Sequence, residues 1–292
     1  MRRDLGVLVL CAIVLAACDR DPPAPVVVYV PTEFEERAND WLPESGLLVT
    51  VIAGDSAVIT DRVISKQDSP RADVLFTSGI FDIWRAADEG AMRPLEASVF
   101  ESVPVELRDP DHAWAATSHR SLLIGMTPDA PTVEVTQYAD LGSPEFAGQL
   151  CLTSSSLPAN RALIGMLIED LGLKPAERIV RSWSRNLAQA PFATESELVA
   201  ALESGACSTA IISASVDVES LARIYPDPAY RDIQGIGVTR HAENPEAGAR
   251  LVEWVLSEVP AVEPVNSNGK NIGIAGWRDA EARLLAERAG YR

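Results

Sequence analysis

Basic residues are scarce in this chain: 25 Lys and Arg stand against 42 Asp and Glu, for a formal net charge of −17. A phosphate backbone rewards clustered cations, so this balance argues against nucleic acid as a partner. It also disfavours adhesion to anionic lipid headgroups. Only three histidines occur. None sits in a His-Glu-x-x-His pattern, and there is no cysteine-rich metal motif. No Gly-x-Ser-x-Gly elbow presents a nucleophilic serine. Enzymatic chemistry therefore has no motif to rest on. Internal repeats are absent, and beyond the first residues no apolar run reaches the roughly 20 residues that a membrane-spanning helix needs.

What is present begins at the amino end. Met1-Arg2-Arg3 is a short basic start, and Leu5–Leu15 is a nearly unbroken apolar run. The run is too short to span a bilayer and fits a signal-peptide core. It ends in Leu15-Ala16-Ala17-Cys18, the order of a bacterial lipobox: small residues suit the peptidase, and the Cys18 thiol accepts a diacylglyceryl group. Residues 1–17 are thus expected to be a signal peptide that carries Cys11 away with it. Residues 18–25 are expected to be a lipidated tether, kept extended by Pro22, Pro23 and Pro25. Asp19, directly after Cys18, favours retention in the inner membrane by the rule known for enteric bacteria. The expected location is periplasmic, with the lipid anchor as the membrane contact.

Removing the leader leaves about 275 of the 292 residues, enough for one large domain or two ordinary ones, and 47% of the chain is hydrophobic. Cys151 and Cys207 remain. In an oxidising compartment an isolated pair reads first as a disulfide, and a metal site would need more ligands around it. The bridge would close a long loop and contribute about 4 kcal/mol by chain entropy.

The body alternates. Val26–Val30 reads as a buried strand and Phe34–Trp41 as a helix. Leu47–Ala53 is a strand, Val58–Ser65 a helix, Ala72–Phe76 a strand and Phe81–Glu89 a helix. Such alternation predicts an α/β fold with parallel strands and crossovers. Trp114–Thr127 reads as one or two strands. A second block follows: strand Gln149–Leu152, helices Asn160–Leu171, Pro175–Ala188 and Glu195–Ser204, and strand Ser208–Ser213, closing near Asp232. Strand Gln234–Thr239 and helices Glu246–Ser257 and Arg278–Ala289 complete the chain. Two blocks predict two lobes, with Ala115–Leu122 and Gln234–Thr239 crossing between them. Residues 26–116 and 237–292 are assigned to the first lobe, and 117–236 to the second. A ligand is expected in the cleft at strand ends, where hinge closure buries it.

Several segments, in order, resemble the ferric-ion-binding, solute-binding proteins of bacterial ABC importers, which have a type II periplasmic-binding-protein fold. Ser69-Pro70-Arg71-Ala72-Asp73-Val74-Leu75-Phe76-Thr77 is similar to the family's Ser-Pro-x-Ala-Asp-Val-x-x-Thr strand. Val103–Asp111 is similar to its Val-Pro-x-x-Leu-Arg-Asp segment. Tyr138-Ala139-Asp140-Leu141, Phe146–Cys151, Thr153–Ser156, Gly205-Ala206-Cys207, Gly237–Asn244 and Arg288–Arg292 continue the match, and Cys207 has its partner where the family disulfide would need it. The resemblance implies a monomeric, substrate-binding lipoprotein that delivers its solute to an ABC permease in the inner membrane. A sensor or partner-binding module without transport is the alternative on the same fold.

The resemblance also implies a set of ferric ligands, and here the chain departs. Fe(III) is a hard cation that takes phenolate and imidazole. The family's His-Tyr after the first strand is Glu33-Phe34 here, a further Tyr aligns with Met126, and Asn-Thr-Tyr-Tyr becomes Ser213-Ala214-Ser215-Val216. Glu33 and His119 are the only candidates left to hold a metal, so an atypical iron(III) binder is the minor reading and no cofactor is expected. Tyr29 and Tyr138 read as packing residues, and Tyr225 and Tyr230 as surface or lobe-edge aromatics. A small polar or anionic ligand is expected instead. Ser154, Ser155 and Ser156 ahead of a helix start suit an oxyanion, Arg120 adds charge, Thr77 and Ser78 face them from the other lobe, and Ser213 and Ser215 open volume. The Val262–Ile274 stretch is shorter than its counterpart in the family.

Overall fold

The computed structural model describes residues 24–259 and 271–292. The leader, Cys18, most of the tether and much of the Val262–Ile274 stretch lie outside the described residues. Among the described residues no helix is long and apolar enough to cross a membrane.

The β-branched run at the start forms β1 (Val26–Pro31), whose side chains are almost all buried. It is followed by α1 (Glu35–Trp41), β2 (Val49–Gly54), α2 (Ser56–Ser65), β3 (Val74–Thr77) and α3 (Ile80–Asp88). β1 lies parallel to both β2 and β3, as the alternation predicted. Asp73 is fully buried where β3 begins. Its carboxylate accepts from the amides of Val27 (2.9 Å) and Asn244 (2.7 Å) and so ties three distant segments together. A buried carboxylate needs such donors to offset its desolvation.

Trp114–Thr127 contains one long strand, β4 (Ala115–Met126). Then come β5 (Leu150–Cys151), α4 (Pro158–Leu171), α5 (Leu173–Asn186), α6 (Glu195–Glu203), β6 (Thr209–Ser213), the short β7 (Ala222–Ile224), β8 (Arg231–Val238), α7 (Pro245–Glu258), α8 (Gly273–Trp277) and α9 (Asp279–Ala289). The sheet runs β2-β1-β3-β8-β4-β6-β5, with β7 paired to β4. β4 pairs antiparallel with β8 from Ala115 to Ser121, then with β6 from Leu122 to Met126. β4 and β8 are therefore the strands that pass between two lobes. β8 begins earlier than the sequence suggested, because Arg231 and Asp232 look like loop residues yet are buried in the strand.

The Cys151–Cys207 disulfide forms, with Cα atoms 6.0 Å apart. It joins β5 to the residues leading into its parallel neighbour β6, beside a small core of Leu123, Leu198, Leu202 and Ile212.

One lobe assignment needs correction. Residues 237–292 do not all belong with the first lobe. α7 packs on β8 and beside Val74 of β3, as expected. α8, however, lies between α3 and α4, and α9 packs on α4 and α5 of the second lobe. Ala282, Leu285, Ala286 and Ala289 form its buried face. Arg278–Glu169 (3.1 Å) and Arg288–Glu177 (3.0 Å) flank it, and the buried Tyr291 hydroxyl donates to the Thr153 carbonyl (2.7 Å). Helical periodicity shows that such a face is buried, but not which helix receives it.

Candidate functional site

The lobes meet at a cleft over the crossing strands. Three cavities open into it, all lined by Ser78. One, of about 270 Å³, is bounded by Ser118–Ser121 of β4, Ser213–Ser215 after β6, and Asp232–Gln234 of β8. A second, of about 220 Å³, lies between Glu33 and Ser78 on one side and the first turn of α4 with Glu195 on the other. These two share Ser78, Arg120 and Asp232. A third and larger space, about 810 Å³, spreads outward between α2, α3, the start of α4 and the start of α9.

The register of β4 on β8 sets Arg120 directly opposite Asp232. Directly opposed residues point to one face of a sheet, which explains how both reach the cleft. Arg120 is exposed there, and its guanidinium forms no hydrogen bond or ion pair with any other described residue, acting on the Asp232 carboxylate through its field. Asp232 is buried. Its carboxylate accepts from the Ile80 amide (3.1 Å) at the amino end of α3, where the leading amides of a helix have no intrahelical partner. Burial raises the Asp232 pKa to about 6, opposed by hydrogen bonds from the Ile80 and Ile233 amides and by Arg120 and Arg161.

Several expected residues line these cavities. The Ser78 hydroxyl donates to Glu33, and the Ser78 amide donates to the Ser56 hydroxyl (3.1 Å). Ser213 and Ser215 line the 270 Å³ cavity with hydroxyl oxygens 2.7 Å apart. His119 lines the same cavity. Glu33 lines the other two, so the two metal candidates share no cavity. Among the described residues no group of three or more His, Cys, Asp or Glu could hold a metal ion.

Others are not in place. Thr77 is buried and its hydroxyl donates to the Gly79 carbonyl (3.1 Å), so it shapes the turn and does not face the cleft. Ser154 and Ser155 line none of the three cavities. The Ser154 hydroxyl pairs with that of Ser156 (2.8 Å), and Ser155 donates to the Tyr291 carbonyl (3.0 Å). Only Ser156 reaches the cleft, in the largest cavity. α4 begins at Pro158, nearer the serines than expected, and its first turn takes the cleft position assigned to them. Met126 pairs with Thr209 at the end of β4 remote from Arg120 and lines none of these cavities.

Tyrosine is missing from all three linings. Tyr29 donates to the Pro70 carbonyl (3.1 Å), Tyr138 to the Leu122 carbonyl (2.7 Å), Tyr230 to Asp170 and Tyr291 to the Thr153 carbonyl. Burial raises the pKa of all four phenols, so phenolate is disfavoured at each. Tyr230, expected as a surface or lobe-edge aromatic, is buried and stacked on Tyr138 at 5.4 Å, so it is not at the surface. Tyr225 is exposed, as expected.

Sequence reasoning missed Asp232 and Glu195. Glu195 opens α6 and accepts from the Ser213 amide (2.6 Å), which holds it at the cleft. It read as an ordinary acidic residue in a helical first turn. Asp232 could be found only by knowing the strand register.

A profile of the family described as bacterial extracellular solute-binding protein matches residues 26–260. Iron uptake protein A1 of Synechocystis is 24% identical over 277 residues, covering 84% of this chain and 77% of that protein. Among solved structures, that of the Trichodesmium protein IdiA, or FutA, with iron and citrate superposes with a TM-score of 0.79 at 22% identity, over 92% of this chain and all of that one (100%). The periplasmic binding protein AfuA of Actinobacillus pleuropneumoniae, with fructose-6-phosphate bound, gives 0.69 at 12% identity over 92% and 99%. These structural likenesses establish the two-lobe fold.

Proposed function

The chain belongs to the bacterial extracellular solute-binding proteins, and from that premise we propose that it captures a small polar solute in the cleft for an ABC importer. On this reading it is a periplasmic lipoprotein, tethered through Cys18 to the inner membrane, and its partner is the importer's permease. Closure of the lobes about β4 and β8 buries the solute, whose anionic group meets Arg120 and the first turn of α4.

The observation that carries this reading is the placement of the tyrosines. All five lie outside the cavity linings, and four have hydroxyls engaged elsewhere by burial and hydrogen bonding. Ferric ion needs anionic oxygen donors. Glu33 and His119 open onto different cavities and cannot supply that set together. An unpaired guanidinium in the cleft suits an anionic ligand instead, and charge-assisted hydrogen bonds to it are strong.

Native mass spectrometry of the purified protein, with visible absorption on adding Fe(III), tests the proposal. A small organic mass that leaves on denaturation, and no phenolate-to-iron band, is the expected pair of results. Tight Fe(III) binding with such a band, and no organic ligand, would overturn it.

A further inference from the structure

The 220 Å³ cavity is more demanding than an anion site. Glu33, from the first lobe after β1, and Glu195, from the second lobe at the start of α6, line the same space with Asp232 and Arg120. Three carboxyls and one guanidinium leave that space net negative. A purely anionic solute would gain Arg120 but face uncompensated carboxylates, whose repulsion grows as the cleft loses water. A bare cation would leave Arg120 unpaired. Glu33 and Glu195 line this cavity from opposite sides, and like charges oppose a narrowing of the space between them unless a cation comes between them.

Size narrows the ligand further. A water molecule occupies about 30 Å³, so the 220 Å³ cavity has room for roughly seven, and the 270 Å³ cavity continues it past Arg120. The space fits a compact molecule with two charged ends better than a sugar polymer or a peptide.

Resting on the reading of this cleft as the solute site, we infer that the solute is a small zwitterion, with an ammonium between Glu33 and Glu195 and a carboxylate or phosphonate on Arg120 and the α4 amides. The ammonium bridges the lobes, so binding and closure are coupled through charge. The Glu195 carboxylate is held in place by the Ser213 amide and that of Glu33 by the Ser78 hydroxyl, so both are pre-positioned for a donor.

Titration calorimetry of the purified protein tests this with four matched probe sets of two to six carbons: ω-amino carboxylates, ω-aminoalkyl phosphonates, the alkanoates and alkyl phosphonates lacking nitrogen, and the alkylamines. At least one amino compound should bind about tenfold or more tighter than both its deaminated and its anion-free counterparts. Comparing carboxylate with phosphonate identifies the anionic end. Glu33→Gln and Glu195→Gln keep an acceptor oxygen and should erase the preference for the ammonium, while the affinity for the deaminated compound rises because a repelling charge is gone. Equal binding of the deaminated compound, or a preference untouched by both glutamine variants, would overturn the inference and leave the small-solute reading standing. Absence of binding across all four sets would overturn it too. The small-solute reading itself would then be judged separately by the native mass spectrum and Fe(III) absorption.

Discussion

Replacing Asp232 with Asn changes one atom type and tests the electrostatics of the hinge. Asp232 is buried beneath the cleft, and desolvation lifts its pKa to about 6 in the folded protein, against about 3.9 for an unfolded Asp. Between these values the folded state holds the proton more tightly than the unfolded state. Stability from this group is therefore greatest below about pH 4, declines as pH rises toward about 6, and is level above. With one pKa unit worth 1.36 kcal/mol, ionised Asp232 costs the folded protein about 3 kcal/mol at neutral pH. Asn keeps an oxygen to accept from the Ile80 amide, 3.1 Å away in the wild type, and the attraction of Arg120 is already contained in the raised pKa. Asp232→Asn should therefore gain about 3 kcal/mol at pH 7–8, or roughly 6–12 °C in Tm for lobes of this size. At pH 4 the two proteins should melt within about 2 °C of each other. Differential scanning calorimetry from pH 4 to 8 reads the difference directly, since the other carboxyls are common to both. A difference between variant and wild type that is flat with pH, or a variant less stable at pH 8, would refute the account of Asp232 as a buried, costly carboxylate.

Other consequences are equally accessible. A Cβ on Gly79 would lie 2.8 Å from Cβ of Pro158 across the cleft, about 1 Å inside normal carbon contact. Gly79→Ala should hold the lobes apart and weaken solute binding roughly 5- to 150-fold, from an overpacking cost of about 1–3 kcal/mol, with little change in unliganded Tm; calorimetric titration against the tightest probe above measures it. Cys151→Ser with Cys207→Ser should cost about 4 kcal/mol, seen as a urea midpoint lower in the variant than in the oxidised wild type. Leu285→Ala, on the buried face of α9, should cost about 2–5 kcal/mol and speed hydrogen exchange in α4 and α5; acceleration confined to the first lobe would contradict the packing described for α9.

Much of the fold was legible because it rests on local patterns. The Val26–Val30 run, the Ala72–Phe76 strand and the capped helices between them carry their periodicity in short windows, and alternation alone implied parallel strands with crossovers. The crossing strands were placed near the right residues, since a strand-like segment as long as Trp114–Thr127 exceeds the length of an ordinary strand. The site was less legible. Glu33, Ser78, Arg120, Ser213 and Ser215 line the cleft cavities, whereas Thr77, Ser154 and Ser155 turn their hydroxyls to the Gly79 carbonyl, the Ser156 hydroxyl and the Tyr291 carbonyl. Ser and Thr readily make such short-range hydrogen bonds, and spacing cannot say whether a hydroxyl faces inward or toward a ligand.

The amino-acid sequence by itself determined the α/β alternation, the Cys151–Cys207 pair and the absence of tyrosine from Glu33-Phe34 and from Ser213-Ala214-Ser215-Val216. Each of these is a property of residue type within a short span. Only the tertiary structure decided that Arg120 stands opposite Asp232, that Glu33 and Glu195 share one cavity from opposite lobes, and that α9 crosses to the second lobe. Those facts depend on strand register and on which buried face meets which. Both are settled by contacts between segments far apart in the chain, where the gain from packing outweighs what any local pattern prefers.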